Sequence, residues 1–119
     1  MANPNIANLT TITGKSAVLA VTTTPTDIVT NSAASGKILK ISSLIVTNID
    51  GTVAADITAS LFRSSVEYKI ASTISIPQDA TLVILSKDAT IYLEEGDTLR
   101  LTASANGDLQ AVCSYEEIS

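Results

Sequence analysis

The sequence contains no histidine, no tryptophan and a single cysteine. Without histidine, the chain cannot form a Ser-His-Asp triad, an imidazole general base or a histidine-ligated metal site. One cysteine excludes a disulfide within these 119 residues and every zinc site that needs several thiolates. These absences remove common hydrolase and zinc-protein classes, and they predict a protein that is not an enzyme and carries no cofactor.

Positive charge and aromatic rings are also scarce. Seven Lys and Arg residues stand against twelve Asp and Glu, and one Phe and three Tyr are the only aromatics. Nucleic-acid binding needs clustered cations, and stacking on sugars or bases needs aromatic platforms. No run approaches the roughly 18–20 apolar residues of a membrane span, and the first residues lack the basic region of a signal peptide. The composition predicts no nucleic-acid partner, no membrane contact and use from the cytoplasm.

Residues that favour β-structure are abundant instead. The chain has 14 Ile, 8 Val and 16 Thr, so 38 of its 119 residues are β-branched, and 14 Ser add further hydroxyl groups. Branched side chains lose rotamer freedom in helices and pack well on pleated sheets. Short hydroxyl side chains cover a solvent-facing sheet at little entropic cost. The composition therefore predicts an all-β protein with an aliphatic core.

Alternating hydrophobicity locates the longer strands. Residues 11–22 predict a strand with Val18 and Ala20 on one face and Leu19 and Val21 on the other. Residues 37–49 predict a second strand, in which the phase changes across Ser42-Ser43 and indicates a bulge. Residues 66–76 show unbroken alternation and predict a third strand, whose face is a candidate surface shared between copies.

Shorter runs and turn residues complete the pattern. The continuous apolar run Leu82–Leu85 is typical of a strand covered on both sides. Gly51 is placed for a turn with positive φ, residues 63–65 predict a tight reversal, and residues 106–108, Asn-Gly-Asp, are a hairpin signal. Ile91–Leu93 predicts another short strand. The whole pattern predicts about eight short strands in one antiparallel β-sandwich, jelly-roll-like, over residues 11–119. Residues 1–10 are polar, contain a proline and predict an extended N-terminal arm.

Four acidic residues in the last third of the chain are the first candidate for chemistry. Asp88, Glu94, Glu95 and Asp97, here called the acidic group, offer carboxylate oxygens of the kind that calcium prefers. Glu-Gly-Asp between two strands also fits a solvated turn, in which Gly96 supplies the backbone angle and Asp97 accepts a bond from a nearby amide. The spacing of an established calcium loop is missing, so the turn is favoured and the ion stays the alternative.

Other reactive groups have plainer interpretations. Cys113 shares its predicted face with Leu109, Ala111 and Tyr115, which indicates a buried structural thiol rather than a nucleophile. Paired carboxylates such as Glu116-Glu117 serve glycosidases, but those enzymes add aromatic platforms and a deep cleft that this composition does not supply. No catalytic, cofactor-binding or metal-binding residue is therefore predicted.

Several stretches resemble a known class of proteins. They are SLIVTNIDGT at 43–52, ISIPQDATL at 74–82, YLEEGD at 92–97 and CSYEEI at 113–118. The sequence is similar to small virion structural proteins of tailed bacteriophages that infect cyanobacteria and other marine bacteria. The resemblance implies a non-enzymatic β-sandwich that decorates a capsid or belongs to a neck or tail, and it assigns no functional residue.

The resemblance implies a capsid cement protein that binds the major capsid protein shell as a homotrimer and stabilises the head. Such a protein is assembled into the virion in the host cytoplasm, and the trimer multiplies weak contacts through effective concentration. The alternatives are a neck, baseplate or tail-fibre component, and then a host glycan-binding module.

Overall fold

The computed structural model describes residues 11–119, so the predicted arm at residues 1–10 lies outside the described residues. Nine strands follow one another along this part of the chain. Their bounds are β1 Ile12–Val21, β2 Thr26–Thr30, β3 Ile38–Asn48, β4 Ala55–Arg63, β5 Val66–Ile76, β6 Thr81–Leu85, β7 Ile91–Leu93, β8 Thr98–Ala103 and β9 Leu109–Ile118. Within the described range, no helix has the length and apolarity to cross a bilayer.

The strands form two antiparallel sheets that face each other. The front sheet has the order β1-β9-β3-β6, and β7 also pairs with β3; the back sheet has the order β2-β8-β4-β5. β6 pairs with residues 44–47 of β3 and β7 with residues 39–41, so the two short strands share one position beside β3. Strands consecutive in sequence thus often lie across from each other in the two sheets. This is the two-sheet arrangement of a jelly roll, as the sequence predicts.

The core lies between the sheets and is aliphatic. β3 and β9 are central in the front sheet, and their inward residues Leu44, Val46, Ala111 and Cys113 are at most 1% exposed. The register between these strands shifts between Ile41 and Ser43, which confirms the bulge predicted at Ser42-Ser43. Leu39 and Ile41 before the bulge and Leu44 and Val46 after it are all buried. The one extra residue at the bulge shifts the alternation from odd to even positions, so both ends of β3 direct apolar side chains inward.

Three local predictions are wrong. The run Leu82–Leu85 is not covered on both sides, since β6 is an edge strand and Val83 is 58% exposed. The alternation of β5 is not continuous, because its register with β4 shifts twice and Thr73 has a φ of +52°. Gly51 does not have a positive φ, whereas Asp79, which packs beside it, does. The edge position of β6 decides the exposure of Val83, and the pairing with β4 decides where the alternation of β5 is interrupted.

Tight turns follow the predicted residues elsewhere. Ser64 and Ser65 both have positive φ, +51° and +64°, which is the backbone of a two-residue type I′ hairpin between β4 and β5. Gly96 and Gly107 have φ of +89° and +83°, and they supply the reversals before β8 and β9. L side chains rarely adopt this region, so the two glycines have a conformational reason to be there.

A candidate protein-interaction face on the front sheet

The outer surface of the front sheet carries a continuous row of β-branched side chains. Val18 lies opposite Val112, Val112 opposite Ile45, and Ile45 opposite Val83, so the row crosses β1, β9, β3 and β6. Val18 is 75% exposed and Val83 is 58% exposed, which is high for valine. We call these four residues the apolar row. The sequence reveals their parity, but strand order alone brings them into one line.

Polar groups border the apolar row on both sides. On one side, Ser16 lies opposite Ser114, which lies opposite Ser43. On the other side, Gln110 lies opposite Thr47, and the hydroxyls of Thr47 and Thr81 are 3.1 Å apart in a hydrogen bond. The centre of this face is therefore an uncharged apolar stripe with hydroxyl and amide rims. An apolar centre with a polar border is the composition of a protein-docking surface.

A shallow groove runs along the same face beside β1. Its volume is about 280 Å³, and it is lined by residues 18–20 of β1 and 110–112 of β9. Small-molecule sites are usually enclosed cavities of about 300–1,000 Å³ with convergent polar groups. This groove is open and largely apolar, so it suits a flat protein contact better than a small ligand.

Arg63 bridges two carboxylates of the acidic group, those of Asp97 and Glu94. The Asp97 carboxylate is 2% exposed and accepts hydrogen bonds from Arg63 Nε at 2.8 Å and Arg63 Nη2 at 2.5 Å. Arg63 Nη2 also donates to Glu94 at 2.8 Å, and the Glu94 amide donates to Asp97. These carboxylates hold the pKa of Arg63 above its usual value. Among the described residues, no acidic, histidine or cysteine group is placed to hold a metal.

The turn interpretation is supported for Glu94–Asp97 of the acidic group. The amide of Asp97 donates to the Glu94 carbonyl at 3.0 Å, and the amide of Gly96 donates to the Asn31 carbonyl at 2.8 Å. Glu95 accepts a bond from the Gly36 amide at 2.6 Å. The carboxylates of Glu94, Glu95 and Asp97 thus order loops at one end of the sandwich. Sequence analysis missed Arg63 as their partner, because 34 residues separate Arg63 from Asp97.

Two buried asparagines were also missed by the sequence analysis. Asn31 is 2% exposed, and its amide nitrogen donates to the carbonyls of Lys37 and Leu93. Asn48 is fully buried, and its amide nitrogen donates to the carbonyls of Val53 and Ile76. Each side chain satisfies loop or strand carbonyls that would otherwise be buried unpaired, which is costly. Both roles are structural.

Cys113 is a core residue, as predicted. Its side chain is fully buried between the sheets, and burial raises the pKa of its thiol to about 12. A thiolate is the reactive form of cysteine. Cys113 is therefore an inert packing residue in the folded chain.

The two C-terminal carboxylates have different partners. Glu117 accepts bonds from Lys37 at 2.8 Å and from Lys15 at 3.1 Å, and these bonds lower the pKa of the Glu117 carboxyl. Glu116 lies on the opposite parity, across from Lys40. Arg100 is likewise occupied, by Asp27 and by the ring of Phe62, 3.8 Å away. Five of the seven basic residues, Lys15, Lys37, Arg63, Lys69 and Arg100, thus lie within ion-pair distance of a carboxylate.

Comparison with known proteins gives a fold likeness alone. No protein-family model matches the sequence. No curated protein matches it either. The solved structures include a similar chain from work described as "Bacillus endospore appendages form a novel family of disulfide-linked pili". The likeness has a TM-score of 0.53 at 14% identity, and it covers 98% of this chain and 95% of that chain. This chain is thus similar in fold, over nearly its whole length, to a pilus protein.

Proposed function

We propose that this chain is a non-enzymatic structural subunit of a tailed-phage virion, in which it binds the major capsid protein shell and cements the head. The apolar row is the observation that carries the proposal, since it offers a flat, uncharged docking stripe on a rigid sandwich. Such a subunit needs no cofactor and binds neither nucleic acid nor membrane. The likeness of several sequence stretches to phage virion proteins supports the virion as its location.

The proposed subunit acts as a homotrimer. A single copy offers a small contact, and three joined copies multiply weak contacts through effective concentration. Val66, Tyr68 and Ile74 of β5 are 40–57% exposed on the back sheet, which supports β5 as the strand where copies meet. Light scattering tests this state, for which we expect a number of chains divisible by three, that is a multiple of about 37 kDa from a chain of 12.3 kDa.

Electron cryo-microscopy of phage particles that contain the chain tests its location. We expect density for three copies around local three-fold positions of the head. Density at the neck, baseplate or tail fibres would replace the cement role with that alternative. Absence of the chain from purified particles would refute the virion proposal.

Binding of purified variants to heads that lack the chain tests the docking face. We expect Val83→Lys to weaken binding about tenfold or more, because a charge within a desolvated contact is costly. Val53→Lys is the matched control, since Val53 is 56% exposed but lies in a loop away from the apolar row. Equal binding by both variants would show that the row is not the docking face. Specific binding on a glycan array would favour the glycan-binding alternative.

A filament subunit is the second candidate, and the fold likeness to a pilus protein favours it. The pili of that structure are described as disulfide-linked. Here the single thiol is buried with a pKa of about 12, so a filament of this chain would have to be held by non-covalent contacts. Negative-stain microscopy of the concentrated protein distinguishes the two candidates, because filaments would support the second and discrete oligomers the first.

A further inference from the structure

The four sheet edges differ in how they are protected. β2 has five residues and a register shift, β6 and β7 have five and three residues, and the register of β5 shifts twice. Short strands and bulges are the usual devices that stop edges from pairing with other chains. β1 differs, since its ten residues pair with β9 without any shift. Among the described residues, β1 is the long, regular edge.

The hydrogen-bond pattern between β1 and β9 shows which backbone groups of β1 point away from β9. Thr11 and Ser119 exchange both of their backbone hydrogen bonds, each at 3.0 Å. In an antiparallel ladder, bonded and non-bonded pairs alternate. The odd-numbered residues of β1 therefore bond β9, and the even-numbered residues direct N–H and C=O groups away from it. Ser16, Val18 and Ala20 are such residues, and their side chains lie on the outer face.

We propose that two copies of this chain pair antiparallel along β1, with Val18 opposite Val18 of the second copy. Residues opposite each other in a ladder share a face, so Ser16 then lies opposite Ala20 of the other copy. Each such pair exchanges two backbone bonds, which gives about six bonds between the copies. The contact is isologous, because the same surface is used twice.

The proposed register is chosen by the apolar row. With Val18 opposite its counterpart, the row runs on from one copy into the other, and the two front sheets become one. β-branched pairs directly across strands are stabilising. A register shifted by two residues would instead place Val18 opposite a serine or a small residue and interrupt the row.

Charge does not oppose this contact. Lys15 is the one charged residue of β1, and its ammonium group is bonded to Glu117 of its own chain at 3.1 Å. In the proposed register, Lys15 lies opposite Val21 of the second copy, so no like charges face each other. A second copy is therefore a complementary occupant of this edge.

This contact goes beyond the proposed function and does not depend on it. It joins copies two at a time, so it gives a dimer of about 25 kDa from a chain of 12.3 kDa, or joins two trimers where trimers form. Light scattering of the wild-type protein should therefore show an even number of chains. A monomer or an isolated trimer would overturn the proposal.

Cysteine cross-linking tests the register. Val18→Cys should give a disulfide-linked dimer under mild oxidation, since Cα atoms of a hydrogen-bonded pair are about 5.5 Å apart, within disulfide range. The native Cys113 is fully buried and should not contribute. Val83→Cys is the matched control, because it ends the same row on β6. Absence of the Val18→Cys dimer, or equal cross-linking by the control, would overturn the proposal.

Two edge variants test the contact without cross-linking. Ser16→Pro removes an N–H that β9 does not use, so the fold should persist while the population of paired copies falls about tenfold or more. Val18→Lys places two ammonium groups at the two-fold axis and should have the same effect. Val83→Lys should leave pairing intact even where it abolishes head binding. Wild-type association of Val18→Lys, whose site is 75% exposed and tolerant of change, would refute the contact.

Discussion

Arg63→Met is the variant that most directly tests how the loops at one end of the sandwich are held. Arg63 joins the end of β4 to the turn before β8, through bonds to Asp97 and Glu94. Methionine keeps much of the aliphatic stem and removes the guanidinium. The Asp97 carboxylate then keeps its bond from the Glu94 amide and loses both bonds from Arg63.

The size of the effect follows from the burial of the two partners. Asp97 is 2% exposed, and stranding a buried charge costs about 3–5 kcal/mol. The Arg63 side chain is 41% exposed, so water enters where the guanidinium was and recovers part of that cost. We therefore expect a loss of about 2–3 kcal/mol in the free energy of unfolding. For a domain of this size, that lowers Tm by about 6–18 °C.

Urea unfolding followed by circular dichroism at pH 7 measures this loss. Arg100→Met is the matched control, because it removes a pair with Asp27, which is 43% exposed, and a contact with the Phe62 ring, which together contribute about 1–2 kcal/mol at most. Asp97→Asn and the double variant complete a cycle, in which the Arg63 effect should largely disappear. A loss below about 1 kcal/mol for Arg63→Met, or one equal to that of Arg100→Met, would refute the reasoning.

Four further outcomes follow from the structure. Gly107→Ala should cost about 1 kcal/mol because φ is +83°, whereas Gly14→Ala, with open space and ordinary backbone, should not destabilise; equal urea midpoints would contradict this. Cys113 should not react with a thiol reagent at pH 8 until urea unfolds the chain, and rapid native labelling would show that it is accessible. Because bonds to Lys15 and Lys37 lower the folded pKa of Glu117, its contribution is present above the unfolded value near 4.5 and is lost as pH falls through the folded value. Glu117→Gln should therefore lower Tm at pH 7 and match the wild type once the pH is below the folded pKa of Glu117, and a constant difference would exclude this linkage. Calcium at about 5 mM should leave Tm unchanged, and a rise would restore the acidic group as an ion site.

Strand positions were predictable because alternation is a local signal. The bounds of β5 and β7 agree with the alternation and with the short run Ile91–Leu93, and the β3 bulge is where the parity changes. The two-residue reversal at Ser64-Ser65 and the inert Cys113 were also predictable from neighbouring residues. Local periodicity determines which face each side chain takes, and this requires no knowledge of the partner strand.

The solvent exposure of a strand and the hydrogen-bond or ion-pair partners of a side chain were not predictable in the same way. The run Leu82–Leu85 predicted a strand covered on both sides, but β6 lies at an edge, and sheet position depends on the order of all the strands. The Arg63–Asp97 pair and the buried Asn48 arise where segments distant in sequence meet. No local pattern marks such residues, since exposed arginines and turn asparagines have the same sequence context.

The sequence by itself determined an all-β chain with an aliphatic core, its strands, most of its turns and the inert thiol. Each of these depends on residue type and on the two-residue alternation of apolar and polar side chains along the chain. Only the tertiary structure decided which strands are edges, which valines align into the apolar row and which ions pair. The physical reason is that hydrogen-bonded register between distant strands places these groups, and that register is a property of the folded sheet as a whole.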